Sequence, residues 1–215
     1  MLKRITLIAA SVAVLSLSAH AFAVTAQSGV YVGGNAGWSF AKDTSNSNMG
    51  ASNKSNKNYV LGGTVGYDYA LNQNVLVGAE FNYSNFGKTS YTNAGVNNVS
   101  AYEKNAGYQI LATSTYLFSN NWNVFGKVGG IKEKTSFDDT GTIAGVNIDN
   151  SGDVSKWIPA AAIGAGYNVN QNLEVALQVE HTFGQNWNVS ATSSAPSKPM
   201  TQNAVTLGAT YKFAM

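Results

Sequence analysis

Apolar and polar residues alternate along most of this chain in eight separate runs, and a period of two is the mark of a β-strand with two unlike faces. The first run, about 29–40, puts Val30, Val32, Ala36, Trp38 and Phe40 on one face and Tyr31, Asn35 and Ser39 on the other. The second, about 59–70, sets Tyr59, Leu61, Val65, Tyr67 and Tyr69 against Thr64, Asp68 and glycines. The third, 75–86, sets Val75, Val77, Ala79, Phe81 and Tyr83 against Leu76, Gly78, Glu80 and Asn82. The fourth, 106–118, opposes Tyr108, Ile110, Ala112, Tyr116 and Phe118 to Gln109, Thr113 and Thr115. The fifth, 124–136, is the least regular, because Phe125 and Ile131 share a face with Lys127. In the sixth, 157–169, Pro159 near the start predicts a bulge or a later strand start. The seventh, 173–183, and the eighth, which runs from Gln202 to the C-terminus, alternate most strictly.

The connections between runs are of two kinds. Three are tight and Asn-rich: 72–74, 121–123 and 170–172, with first residues 49 apart (121 − 72 and 170 − 121). Four are long, about 41–58, 87–105, 137–156 and 184–201, and rich in Ser, Thr, Asn and Gly. The chain from residue 24 onward therefore divides into four strand–loop–strand units. Four such units predict an up-and-down meander whose ends meet on the side of the short turns.

Alternation alone does not say which face is inside. A soluble sandwich turns its apolar face inward, whereas a membrane barrel turns it to lipid and fills its lumen with the polar face. Two features favour the second arrangement. Aromatics gather at both ends of the apolar faces: Tyr67, Tyr69, Tyr116, Phe118, Tyr167, Tyr211 and Phe213 near the short turns, and Trp38, Phe40, Tyr59, Tyr83, Trp157 and Phe183 near the long loops. Such rings match the two interfaces of a bilayer. The polar face also carries many glycines, which suits a narrow, crowded lumen. Long loops are typical of the external side of such barrels and short turns of the periplasmic side, so both ends of the strand array are expected to face the periplasm.

The first 23 residues change the picture again. Lys3 and Arg4 precede an apolar run from Ile5 to Leu17, and small residues follow at Ala19, Ala21 and Ala23. This is the order of a secretory signal peptide, with cleavage after Ala23 or after Ala21. The run falls short of the ~20 apolar residues that a spanning helix needs. Of the 13 Lys and Arg residues, Lys3 and Arg4 fall in this segment, and the remaining 11 balance the 11 Asp and Glu. A neutral domain 24–215 offers no basic field for nucleic acid. With no Cys in the chain, disulfide frameworks and Cys-ligated metals are excluded.

The chain resembles the eight-stranded OmpA-like and opacity-type outer-membrane β-barrel proteins. The residues that carry the resemblance are Gly29–Gly34 (GVYVGG), Val65–Tyr67 (VGY), Gly164–Tyr167 (GAGY) and the closing run Val205–Phe213 (VTLGATYKF). The resemblance covers the whole of 24–215. It implies an all-β, eight-stranded antiparallel transmembrane barrel in the outer membrane, inserted by the machinery that reads a C-terminal strand of alternating apolar residues. Here Ala214 and Met215 extend past the expected terminal Phe, with Met215 in the same parity.

Candidate chemistry is sparse. His181 is the one His beyond the leader, and alternation puts it on the apolar face while Glu180 faces the lumen. Barrels that modify lipid A pair His with Ser and an acid, but no such spacing follows His181, so a lipid-modifying enzyme is an alternative and non-enzymatic function the main reading. Asp138, Asp139, Asp149 and Asp153 lie in the third loop without an EF-hand spacing. No cofactor or metal is expected. Six charges share the polar face: Asp68, Glu80, Lys127, Glu174, Glu180 and Lys212. Eight strands leave an interior only wide enough for side chains, and charges there must pair, so they predict an internal electrostatic network. Equal parity in consecutive strands predicts, in particular, a pair between Glu174 and Lys212. The sequence therefore reads as a monomeric surface barrel with a plugged lumen, acting in envelope integrity or adhesion. Its partners are outer-membrane lipid, the insertion machinery and a host or surface ligand at the loops. The main alternative is a narrow porin-like channel for small solutes or ions.

Overall fold

Each alternating run is a strand, and the strands close into a ring. The computed structural model describes residues 24–41, 53–54, 57–93, 99–143, 146–184 and 201–214; the expected leader, residues 1–23, lies outside them. The barrel strands are β1 (Gly29–Ala41), β2 (Lys57–Ala70), β3 (Val75–Asn93), β4 (Val99–Leu117), β5 (Trp122–Ile143), β6 (Val146–Asn168), β7 (Leu173–Thr182) and β8 (Gln202–Ala214). Every strand pairs antiparallel with its sequence neighbours, and β8 pairs with β1 from Gly29↔Ala214 to Ala41↔Gln202. A two-residue strand, Asn53–Lys54, adds to the far end of β3.

The apolar parity faces outward. Val32, Leu61, Val65, Ile110, Val128, Ile163, Val179 and Leu207 are all exposed on the outside of the ring. The opposite parity is buried, including Asp68, Glu80, Asn82, Gln109, Thr113 and Glu180. The irregular fifth strand obeys the same rule: Phe125, Lys127 and Ile131 all point inward, while Trp122, Val124 and Val128 point out. The outward aromatics form two belts. Near the turns Tyr116 meets Phe118, Trp122 meets Tyr167 and Tyr211 meets Phe213, with centroids 5.1, 5.3 and 5.0 Å apart. At the other end Tyr83 meets Tyr108 at 5.1 Å.

The three short connections explain their asparagines. Asn72 Oδ1 accepts from the backbone N–H groups of Asn74 and Val75, both at 2.9 Å. Asn170 Oδ1 does the same for Asn172 and Leu173, both at 2.8 Å. The last Asn of these two triplets then braces the next hairpin: Asn74 Nδ2 donates to Leu117 O and Asn172 Nδ2 to Lys212 O. The middle triplet has slid along the chain. There the turn ends at Asn121, which adopts a left-handed φ of 66° that Asn tolerates well. Asn123 has already entered β5 and points into the lumen, fully buried. Replacing Asn170 by Ala removes the side-chain acceptor of two backbone N–H groups, and a loss of about 1 kcal/mol in a urea unfolding titration is expected by analogy with a helix cap. Asn121→Ala should act instead through backbone strain.

Two expectations about the long connections are corrected. The segments 87–105 and 137–156 are largely strand, not loop: β3 pairs with β4 as far as Asn93↔Val99, and β5 with β6 as far as Ile143↔Val146. The hydrophobic alternation stops where the apolar belt stops, but backbone pairing does not need it. A register shift between Asn85 and Lys88, with Gly87 at φ 78°, marks the change in β3. Pro159 is also neither a strand start nor a bulge. It sits inside β6 opposite Gly130, and its carbonyl accepts from Phe183 N–H just where β7 ends. A residue without an N–H fits there, since β6–β7 pairing goes no further than Ala160↔Thr182.

Candidate functional site: the lumen

The interior has two halves of different chemistry. Toward the long-hairpin end, Val60, Phe86, Leu111, Ile131, Ile158, Ala160 and Ala204 form one buried apolar cluster. Toward the turn end lies a cavity of about 110 Å³, room for several waters at the ~10–15 Å³ that each requires. Asp68, Glu80, Lys127, Glu174 and Lys212 all line it, and Val24, Thr25 and Gln27 lie at its mouth. That N-terminal segment is tied across the rim: Ala26 N–H donates to Gln73 O, and Ser28 Oγ accepts from Ala70 N–H, both at 3.0 Å.

The structure brings four of the six sequence-picked charges into two ion pairs. Lys127 Nζ lies 2.9 and 2.7 Å from the two carboxylate oxygens of Glu80, and both side chains are buried or nearly so. Tyr31 Oη donates a third hydrogen bond to Glu80 Oε2 at 3.0 Å. Lys212 Nζ meets Asp68 Oδ2 at 2.5 Å. Glu180 is met by amides rather than an ammonium, accepting from Gln109 Nε2 and Gln178 Nε2. Glu174 accepts from Asn123 Nδ2 at 3.0 Å.

The expected Glu174–Lys212 pair is not formed. Equal parity was read correctly, but the register places Glu174 opposite Thr210, two residues short of Lys212. Lys212 stands opposite Tyr31 of β1 and reaches over that strand to Asp68 of β2. Turn length sets register, and a shift of two residues preserves the face while changing the partner.

Close packing accounts for glycines on the inner face. The Tyr31 ring lies against Gly66, and the Phe125 ring against Gly164, so closely that a Cβ at either glycine would overlap the ring. Tyr31 is thereby held over Glu80. Sequence reasoning put Tyr31 and Gln109 on the lumen face without giving them a part in the charge network, and it missed Asn123 and Glu133 as members of this interior. Glu133, fully buried, accepts from Gln202 Nε2 at 2.8 Å. Its parity with Lys127 and Ile131 was the available signal.

Outside the lumen, His181 faces outward as expected. Its Nδ1 lies 2.7 Å from Asn203 Oδ1, and its ring is 4.4 Å from that of Phe183. Glu180, the adjacent acid, points to the opposite face, so the two do not make an acid–His couple. Asp153 and Lys134 form an exposed pair at 2.8 Å on the β5–β6 hairpin. The Lys134 hydrogen bond, helped by Ser136, holds the Asp153 carboxyl below its usual range. That contribution is present above the ordinary carboxylate pKa and fades as pH falls through the lowered value; solvent keeps it small.

A closed strand meander with an apolar belt outside, aromatics at both edges and ion pairs within is a transmembrane β-barrel. The chain belongs to the outer membrane protein β-barrel domain family, whose model matches residues 9–213. Membership places the protein in the outer membrane of a Gram-negative-type cell. Among solved structures, OprG of Pseudomonas aeruginosa is similar at 15% identity, covering 89% of this chain and 98% of that one, with a TM-score of 0.50. Ail, the attachment invasion locus protein of Yersinia pestis, is similar at 14% identity over 88% of this chain and 99% of its own, with a TM-score of 0.47. These likenesses concern the fold. An uncharacterised protein of Coxiella burnetii is 46% identical over 55 residues, 26% of this chain; the match spans 20% of that protein's length.

Proposed function

We propose that this barrel is a surface-interaction protein, with a structural lumen and with its contacts made by the connections at the long-hairpin end. In this reading residues 1–23 are a cleaved leader, residues 24–215 the inserted domain, and the turn end faces the periplasm. The observation that carries it is the extension of β3–β6. These four strands remain paired well beyond the last β6–β7 and β2–β3 pairs, so a sheet stands clear of the apolar belt. Residues 146–158 of β6 pair with β5 on one side only, among the described residues. An open strand edge is a recognised way to bind an extended peptide through its backbone.

The channel alternative is disfavoured by the apolar cluster across the other half of the lumen. The chamber's lining includes none of Val60, Phe86, Leu111, Ile131 or Ile158; these side chains, with the hydrogen-bonded Gln109–Glu180 and Gln202–Glu133 pairs beside them, pack the other half of the lumen against ion passage. The test has two arms. Replacing 138–151 with a two-residue Asn-Gly turn should leave the melting temperature within a few degrees, while cells displaying the trimmed barrel lose adherence to matrix or host-cell surfaces. Pure wild-type protein should show no steady single-channel conductance in planar bilayers. Equal adherence of trimmed and intact protein, together with a steady conductance, would transfer the proposal to the channel. A thiol introduced at Asn120 should resist external maleimide in sealed cells; labelling there would invert the orientation.

A further inference from the structure

We propose that the outer face of the β3–β6 sheet, where it leaves the aromatic belt, binds the phosphate groups of membrane-lipid headgroups through Lys88, Lys104, Lys132 and Lys134. The first ground is placement. Even positions of β5 point outward, so the lipid-facing row of Trp122, Val124 and Val128 continues into Lys132 and Lys134, both exposed. The register sets Lys132 between Tyr108 of β4 and Trp157 of β6, which are 53% and 55% exposed on the same face. Such aromatics lie at the headgroup level of a bilayer. The Trp157 ring leans toward Gly130, on the belt side, 3.3 Å from the point that a Cβ would occupy there. Lys134 stands two residues beyond Lys132, and Lys104 is opposite Ser136, two residues further again. At about 3.3 Å per residue each step is ~7 Å, and long lysine side chains can reach back toward the interface.

The second ground is charge. Among the described side chains Asp153, 2.8 Å from Lys134, is the one carboxylate on this face; Glu133 alternates to the inner face and is buried there. The register also places Lys88 of β3 directly opposite Lys104. Like charges in that cross-strand position destabilise a sheet, and an anion lying across them removes the penalty. The third ground is asymmetry. Among the described residues of the turn end the charged ones are Asp68, Glu174 and Lys212, and all three line the lumen. The outer face is thus basic beside one edge of the belt only. The occupant is a membrane lipid rather than a soluble anion, because the patch begins in the belt's own aromatic row and continues the lipid-facing side of the strands. The site does not depend on which leaflet that end meets, nor on adhesion by the connections beyond it.

The experiment uses the full barrel refolded in phosphatidylcholine vesicles that carry a trace of spin-labelled phosphatidic acid or spin-labelled phosphatidylcholine. Electron spin resonance reads the share of each probe held at the protein. At low salt the wild type should hold phosphatidic acid at least about fivefold more strongly, the worth of one lysine near an anionic surface, and added salt should weaken the preference. The triple variant Lys104→Gln, Lys132→Gln and Lys134→Gln should bring the ratio close to one, with an unchanged melting temperature in neutral vesicles. Asp153→Asn should raise the ratio. Lys156→Gln removes an exposed lysine of the inward parity in β6 and should leave it as it is. Equal retention of the two probes by the wild type would overturn the site, and so would a preference that survives in the triple variant. Tight binding of a dissolved sulfated oligosaccharide, lost in the triple variant and without discrimination between the lipid probes, would overturn it in favour of a soluble polyanion.

Discussion

Replacing Lys127 by alanine should cost about 3–5 kcal/mol of folding free energy, the loss typical of removing one member of a buried ion pair. The expectation follows from the surroundings of Glu80. Its carboxylate is almost wholly buried, both oxygens face Lys127, and one also accepts from Tyr31. Without the ammonium, a desolvated anion is left with one phenol donor and whatever chamber water reaches it. That water sets the lower end of the range. Lys127 also lies 5.2 Å from the Phe125 ring, so a small part of the loss is packing rather than charge. The double variant Glu80→Gln with Lys127→Met removes both charges and keeps most of the volume, and it should recover most of the stability. A urea titration in vesicles decides the matter: a loss below 1 kcal/mol for Lys127→Ala would mean that the lumen is wet enough to solvate Glu80 unaided.

Leu177→Arg is expected to cost roughly 2–4 kcal/mol, the penalty for a cation near the midplane on the lipid face of a barrel. Leu177 lies in the middle of β7, opposite Ala165 on one side and Leu207 on the other, and its side chain is exposed on the outside of the ring. Gln178 points the other way and donates to Glu180. Gln178→Arg should be the milder change, since its new charge would stand beside a carboxylate. Folding titrations in bilayers of matched thickness compare the two directly. A larger loss at 178 than at 177 would mean that inside and outside have been exchanged.

The spanning part of the barrel was legible because lipid and lumen impose opposite chemistries on successive residues. Wherever both act, as in β7, each residue declares its face. Beyond the belt both faces meet water, and the signal ends. Thr89, Ser90, Thr92 and Asn93 in β3, or Asp138, Asp139, Thr140 and Thr142 in β5, give no apolar–polar alternation, so strands there read as loops. The lumen was legible by parity but not by partner. Asp68, Glu80, Lys127 and Lys212 were found on the right face, yet the pairing of Lys212 depends on a register of two residues that no side-chain pattern encodes. Asn123 was hidden for a related reason. It stands in the same triplet as Asn121, but the turn closes before it and turns a loop residue into a lumen residue.

The even-numbered strands all finish alike at the turn end: Tyr69–Leu71, Tyr116–Phe118, Tyr167–Val169 and Tyr211–Phe213 each close on an outward aromatic and a second apolar residue two positions on. Since β8 zips to β1 with Gly29 beside Ala214, the ring has no privileged seam. A circularly permuted chain, opened at any of the three Asn turns and joined across the old ends, would present an equivalent last strand.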